Sequence, residues 1–289
     1  MSIALYYFSG TGNTLFVARK LQEMLPDCVL IPIVAELKSK RIRAGADAIG
    51  IISPLHGMTL PVPVTDLLRR IDMRGLRYIF AVTTRGGTVT KGFSKMRRLL
   101  ARNGRILNSS FLITMAGNDP KLRVYQTPSQ SAFHDIERSA LEELAQVRDV
   151  VAGRQSANVQ DKKGQTFPYS PLVNYLLERL VLFGMALVGL IGVNNYFYSD
   201  EKCAGCGTCE KVCLSGKIKL VEERPTWQRG IKCYFCYACL NYCPREALQI
   251  KSKWYMKSFT PIKPRYPHPY ATADEIAMQK TAGMPITMV

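Results

Sequence analysis

Ile3-Ala4-Leu5-Tyr6-Tyr7-Phe8-Ser9-Gly10-Thr11-Gly12-Asn13-Thr14 decides how the first half of the chain folds. Ile3–Phe8 is a short apolar strand candidate, and the run Ser9–Thr14 directly after it opens a helical pattern. Hydroxyls, glycines and a helix N-terminus together make a phosphate site. A phosphate monoester needs several donors from one small region, and the first-turn amides with the hydroxyls of Ser9, Thr11 and Thr14 supply them without lysine or metal. The run lacks the Gly-Lys-Ser/Thr ending of a nucleoside-triphosphate loop and is not G-x-G-x-x-G. The plain alternative is an ordinary turn with a helix cap.

Outward from this stretch, apolar strand candidates recur at Val29–Ile33, Ala48–Ser53, Tyr78–Thr83 and Phe111–Ala116. Helical patterns alternate with them at Thr14–Leu25, Pro63–Ile71, Thr90–Ala101 and Ser129–Val151. Crossovers of that length predict parallel strands and a doubly wound α/β sheet over residues 1–152. Residues 153–194 form a linker, polar from Gly153 to Tyr169 and apolar from Leu172 to Val193. The uninterrupted apolar core, Leu180–Val193, is about 14 residues, short of the ~20 that cross a bilayer. Three readings stand for it, in descending order: a buried linker helix, contact with a membrane surface, and a true span. Gly184, Gly189 and Gly192 weaken it as an isolated helix, so it needs a surface to pack on. The tail, 252–289, carries Pro261, Pro264, Pro267 and Pro269 and reads as extended and irregular.

Eight of the nine cysteines lie between Cys203 and Cys243, in residues 195–251. Cys203, Cys206, Cys209 and Cys213 form a C-x2-C-x2-C-x3-C run. Cys233, Cys236, Cys239 and Cys243 repeat it, followed by Pro244. A tight C-x2-C-x2-C loop wraps three irons of a cubane and leaves the fourth to a distant residue. The fourth ligand therefore crosses over: one 4Fe-4S cluster takes Cys203, Cys206, Cys209 and Cys243, the other Cys233, Cys236, Cys239 and Cys213. Structural zinc is the bland alternative, but it has no use for three cysteines in one such loop with a fourth just beyond. Cys28 stands apart and reads as a small core residue.

This cysteine segment resembles the bacterial two-cluster ferredoxins, which implies a small α+β ferredoxin-like domain. Leu214 departs from the pattern, standing where those proteins usually have proline. The Ser9–Thr14 run resembles the [ST]-x-[ST]-G-x-[ST] phosphate loop of flavodoxins, and the strand–helix order resembles the same family. That resemblance implies sheet order 2-1-3-4-5 with FMN at the switch point. It further implies that two loops hold the flavin ring: one with Pro54, Leu55, His56, Gly57 and Met58, the other with Thr84, Arg85, Gly86, Gly87 and Thr88. Flavodoxins usually stack the ring between aromatic side chains, which the first loop lacks. Asn118 and Asp119 follow the fifth strand and are candidates to line the same crevice.

Together the halves resemble flavodoxin-ferredoxin fusion proteins of anaerobic microbes. The resemblance implies electron transport between FMN, two 4Fe-4S clusters and redox partner proteins. No catalytic residue is assigned. The rival reading is a flavin-dependent oxidoreductase with its own small substrate, for which Arg85, His56 and Asp119 are the candidates.

The formal charge is +17. Two oxidised clusters at roughly −2 each and one flavin phosphate leave about +11, so a basic surface is expected to meet acidic docking partners. At 47% hydrophobic residues the chain is neither disordered nor fibrous. Nucleic-acid binding is not expected, because Lys38–Arg43 and Lys95–Arg98 are charge runs with no recognition motif. No charged leader precedes Ile3, which predicts reduced thiols in the cytoplasm. Peripheral membrane contact through the apolar segment is the remaining expectation for its location.

Overall fold

The computed structural model describes residues 2–56, 59–86, 92–158, 196–254 and 257–281, together with Ser170, Leu172, Val173, Leu176, Arg179, Leu180, Phe183, Gly184 and Leu187. The first half runs β1 (Ile3–Tyr7), α1 (Asn13–Met24), β2 (Cys28–Pro32), α2 (Ile33–Glu36), β3 (Ile42–Arg43), β4 (Ala48–Pro54), α3 (Val62–Arg70), β5 (Ile71–Asp72), β6 (Tyr78–Arg85), α4 (Gly92–Ala101), β7 (Ser109–Thr114) and α5 (Gln130–Ala152). Five of these strands form one parallel sheet in the order β2-β1-β4-β6-β7. With the two-residue pair β3–β5 set aside, that is the order 2-1-3-4-5 of a flavodoxin-like sheet.

β1 lies inside the sheet, between β2 and β4, and all five of its residues are apolar and buried, as a strand covered on both faces requires. α1 packs with α5, and α3 packs with both α4 and α2. The crevice of such a sheet opens beyond the carboxyl ends of the strands, where order reverses between β1 and β4. The loop Phe8–Gly12 lies at that point. The first domain does not stop where α5 ends: the Ser110 amide donates to the Ala157 carbonyl at 2.9 Å and Tyr78 Oη to that of Gln155 at 2.8 Å.

The second half contains β8 (Phe197–Ser199), α6 (Thr208–Lys211), β9 (Ile218–Val221), β10 (Arg224–Trp227), α7 (Ala238–Asn241), β11 (Leu248–Ile250) and α8 (Ala273–Met278). β8 pairs antiparallel with β11, and β9 with β10. Phe197 and Trp227 stack over a small core with Ile218, Leu240, Leu248 and Ile250, and Cys209 and Cys213 border it. The main core of the first half continues through Val212, Leu214, Ala238, Ala271 and Ile276, so the two halves share buried apolar surface.

Two expectations are revised. The tail does not run irregularly throughout: Thr272 and Glu275 form a capping box that starts α8, and Ile276 anchors the helix in the core. The apolar linker is not buried at its described positions. Leu172, Val173, Leu176, Leu180, Phe183 and Leu187 are all exposed. No helix among the described residues is long and apolar enough to cross a membrane. Cys28 is half-buried against the main core, as a small core residue would be, and burial pushes its thiol up to about 12.

Candidate functional site

Ser9, Gly10, Thr11, Gly12, Asn13 and Thr14 form the buried turn from β1 into α1. Gly12 holds the turn with φ +101°, a conformation L side chains avoid. Three bonds tie the turn to the neighbouring strand ends. Thr14 Oγ1 and Thr84 Oγ1 lie 2.7 Å apart, Asn13 Nδ2 donates to the Ala116 carbonyl at 2.8 Å, and Asn118 Nδ2 donates to Thr11 Oγ1.

Among the described residues no side chain caps the N-terminus of α1 and no acid lies in its first turn, yet it is buried; in the turn before it the Gly12 amide donates to Ser9 Oγ at 3.2 Å. A buried, uncapped helix end with a positive dipole suits an anion. The donor set therefore fits a phosphate group.

The two loops expected to flank a flavin ring are placed in part. Pro54 ends β4, and the Leu55 amide donates to the Thr84 carbonyl at 3.2 Å, which brings the two loops together at the carboxyl ends of β4 and β6. Arg85 ends β6, and Gly86 follows it beside Gly117. Gly57, Met58, Gly87 and Thr88 lie outside the described residues.

His56 Nδ1 is 3.1 Å from the carbonyl oxygen of Tyr234, which can only accept, so Nδ1 carries the proton. Burial pushes this imidazole down to about 4, against the pull of that carbonyl. Both His56 and Tyr234 meet the Phe8 ring edge-on. Asp119 pairs with Lys121 at 3.6 Å.

The eight clustered cysteines surround two cavities. Cys203, Cys206, Cys209 and Cys243 line one of about 340 Å³, its open mouth included. Cys213, Cys233, Cys236 and Cys239 line another of about 360 Å³. Each thus draws three cysteines from one run and one from the other. Among the described residues no three His, Cys, Asp or Glu converge on a single metal ion.

In each run the third cysteine is carried by a short helix, Cys209 in α6 and Cys239 in α7. The backbone turns left-handed at Gly205 and Gly207 in the first run and at Phe235 and Tyr237 in the second. Bulky residues keep that strained geometry only where surroundings enforce it. Tyr237 Oη sits 3.0 Å from Tyr196 Oη and 3.5 Å from Lys121 Nζ, which fastens the second run to the loop after β7.

Burial pushes the thiols of Cys209 and Cys236 up to about 12 and that of Cys233 to about 11. Losing those protons inside the cavities requires positive charge beside the sulfurs, which bound iron supplies.

Residues 202–248 match the 4Fe-4S dicluster domain family. This segment is a dicluster domain. It carries iron–sulfur clusters, and its work is electron transfer. No curated protein matches the chain.

Among solved structures, the chain is similar to a mutant flavodoxin from Pseudomonas aeruginosa at 20% identity, over 53% of this chain and 100% of that one, with a TM-score of 0.35. It is also similar to the rubredoxin oxygen:oxidoreductase of Desulfovibrio gigas at 14% identity, over 52% of this chain and 36% of that one, with a TM-score of 0.31. The chain thus spans about a third of the oxidoreductase. The class of the first half follows from its own strand order, and the protein is a fusion of a flavodoxin-like domain with the dicluster domain.

The dicluster domain sits over the crevice of the flavodoxin-like sheet. Tyr234 and Cys236 contact Phe8, His56 and Gly10, and Asn241 Nδ2 donates to the Asn118 carbonyl at 3.2 Å. Tyr234, Tyr237, Asn241, His268 and Gln279 all meet the site and were not legible as site residues. Only one sequence signal bore on the tail, the Thr272-x-x-Glu275 spacing of a capping box.

Proposed function

We propose that the protein is a single-electron carrier with two 4Fe-4S clusters and one FMN, serving redox partner proteins. Cys203, Cys206, Cys209 and Cys243 would hold one cluster, and Cys213, Cys233, Cys236 and Cys239 the other. Ser9–Thr14 would bind the flavin phosphate, with Pro54, Leu55, His56, Gly57, Thr84, Arg85, Gly86 and Gly87 beside the ring. Bound FMN supplies a centre that accepts one or two electrons, whereas each cluster cycles one.

The observation that carries this reading is the seat of the second cysteine run on the phosphate loop: the backbone of Cys236 packs directly on Gly10. Fusion in this geometry keeps the two kinds of centre at fixed, short range. The two cavities differ in access, because Cys206 of the first is exposed while the second faces the domain interface. The first is the natural port for a partner. A formal net charge of +17 for the chain before cofactors favours acidic partners.

Protein purified without oxygen should contain iron, sulfide and FMN in the ratio that two clusters and one flavin require. After rapid mixing with a reductant, flavin and cluster absorbance should change together without added mediators. Independent changes would refute the proposed exchange.

A further inference from the structure

Gln279 is separated from Ser9 by nearly the whole chain and is completely buried against it. Its Oε1 accepts the Ser9 amide at 2.9 Å, and its Nε2 donates to the Ser9 carbonyl at 2.8 Å. One side-chain amide thus holds both polar backbone groups of Ser9, as a neighbouring strand would. Two residues on, the His268 amide donates to the Thr11 carbonyl at 2.7 Å. A Cβ at Gly12 would come within 2.6 Å of the Cβ atoms of His268 and Ala271, so the tail also lies against the outer side of that glycine.

The tail is itself held down. Glu275 pairs with Arg19 of α1 at 2.7 Å, and Ile276 is buried in the main core. Lys38 Nζ donates to the Lys280 carbonyl at 2.6 Å.

A loop with two glycines can turn its peptides at little cost, and turned peptides would point their amides away from an anion. Gln279 pins the peptides on either side of Ser9 and His268 the one between Thr11 and Gly12, which removes that freedom at both ends of the loop. We propose that Gln279 is a positioning residue of the phosphate loop: acting through Ser9, it holds the loop amides in the arrangement that receives the flavin phosphate. The tail is then a strap whose docking sets how tightly the phosphate is held. This rests on the reading of Ser9–Thr14 as the FMN phosphate site.

The test uses the full-length protein freed of flavin, with FMN and riboflavin as paired probes, since riboflavin lacks only the phosphate. Gln279→Met keeps the side-chain bulk and removes both bonds to Ser9. It should weaken FMN binding about ten-fold, the cost of two modest hydrogen bonds, and leave riboflavin binding unchanged. Thr272→Ala, which loosens the tail at an exposed position, should weaken FMN alone by a smaller factor, and it serves if Gln279→Met loses its iron and hence its fold. Unchanged or tighter FMN binding in the variants would overturn the proposal, as would equal losses for FMN and riboflavin. Failure of the unaltered protein to bind either probe would instead remove the flavin reading on which it rests.

Discussion

Gly10 and Cys236 touch across the domain interface so closely that a Cβ built on Gly10 would overlap the Cys236 carbonyl oxygen and stand 2.9 Å from its Cβ. The obstacle is backbone, which cannot swing aside like the end of a flexible side chain. Gly10→Ala should therefore push the second cysteine run off the loop while leaving every cysteine in place. The expected result, read on protein reloaded with FMN, is normal iron content with electron exchange between flavin and clusters slowed at least several-fold in rapid mixing. Gly45→Ala, where an added Cβ meets nothing within 4 Å, is the control and should behave as the unaltered protein.

The crossed grouping of the thiols gives an opposite prediction for two cysteines of similar appearance in sequence. Cys213 closes the run that contains Cys203, yet it lines the cavity of Cys233, Cys236 and Cys239. Cys213→Ser should thus perturb the cluster of the second run, and Cys243→Ser that of the first. Paramagnetic resonance of the reduced variants, compared with a variant at Cys206 and one at Cys236, reads this directly. If Cys213→Ser matched Cys206→Ser, ligation would be local and the crossed assignment lost.

Lys217 is buried, lines the second cavity and donates through Nζ to the Gln228 carbonyl. A fixed positive charge beside a cluster favours its reduced, more negative state. Lys217→Met should lower the potential of that cluster by an amount on the order of 50 mV, the size of about 1 kcal/mol for one electron at an intermediate dielectric, and leave the other cluster unmoved. A spectroscopic redox titration that resolves the two clusters checks the size and the selectivity of the shift.

His268 is buried, stacks on Phe16 at 4.8 Å and accepts the Tyr270 amide at Nδ1, and burial pushes its imidazole down to about 4. Between about 4 and the ordinary value near 6.5, the unfolded chain binds a proton that the folded chain does not. The stability from burying the neutral ring is therefore complete above about 6.5 and is lost as pH falls toward 4, by up to about 1.4 kcal/mol per pH unit from this one group. His268→Asn keeps an acceptor but cannot titrate there. Its denaturation midpoint should vary less between pH 7 and 5 than that of the unaltered protein; equal slopes would exclude His268 as the source.

Residue patterns along the chain settle the parts whose signal is local. Alternation of apolar strands with amphipathic helices marked every strand of the five-stranded sheet to within a residue or two, because burial of β1 or β4 demands a continuous apolar run wherever its neighbours fall. The spacing of the eight cysteines and the hydroxyl–glycine run before α1 were legible for the same reason, since each places several donors within one short turn. Tertiary structure alone decided how these parts meet. The contact of Gly10 with Cys236, the clasp of Gln279 on Ser9 and the bond from His56 to Tyr234 join residues far apart in the chain. Each depends on where a whole domain or tail comes to rest, and that is fixed by the shared core of Val212, Leu214, Ala271 and Ile276 with the sheet's helices rather than by any pattern along the chain. Hydrophobic burial is non-directional: it brings the halves together, and only then do single polar atoms find partners that no local spacing could announce.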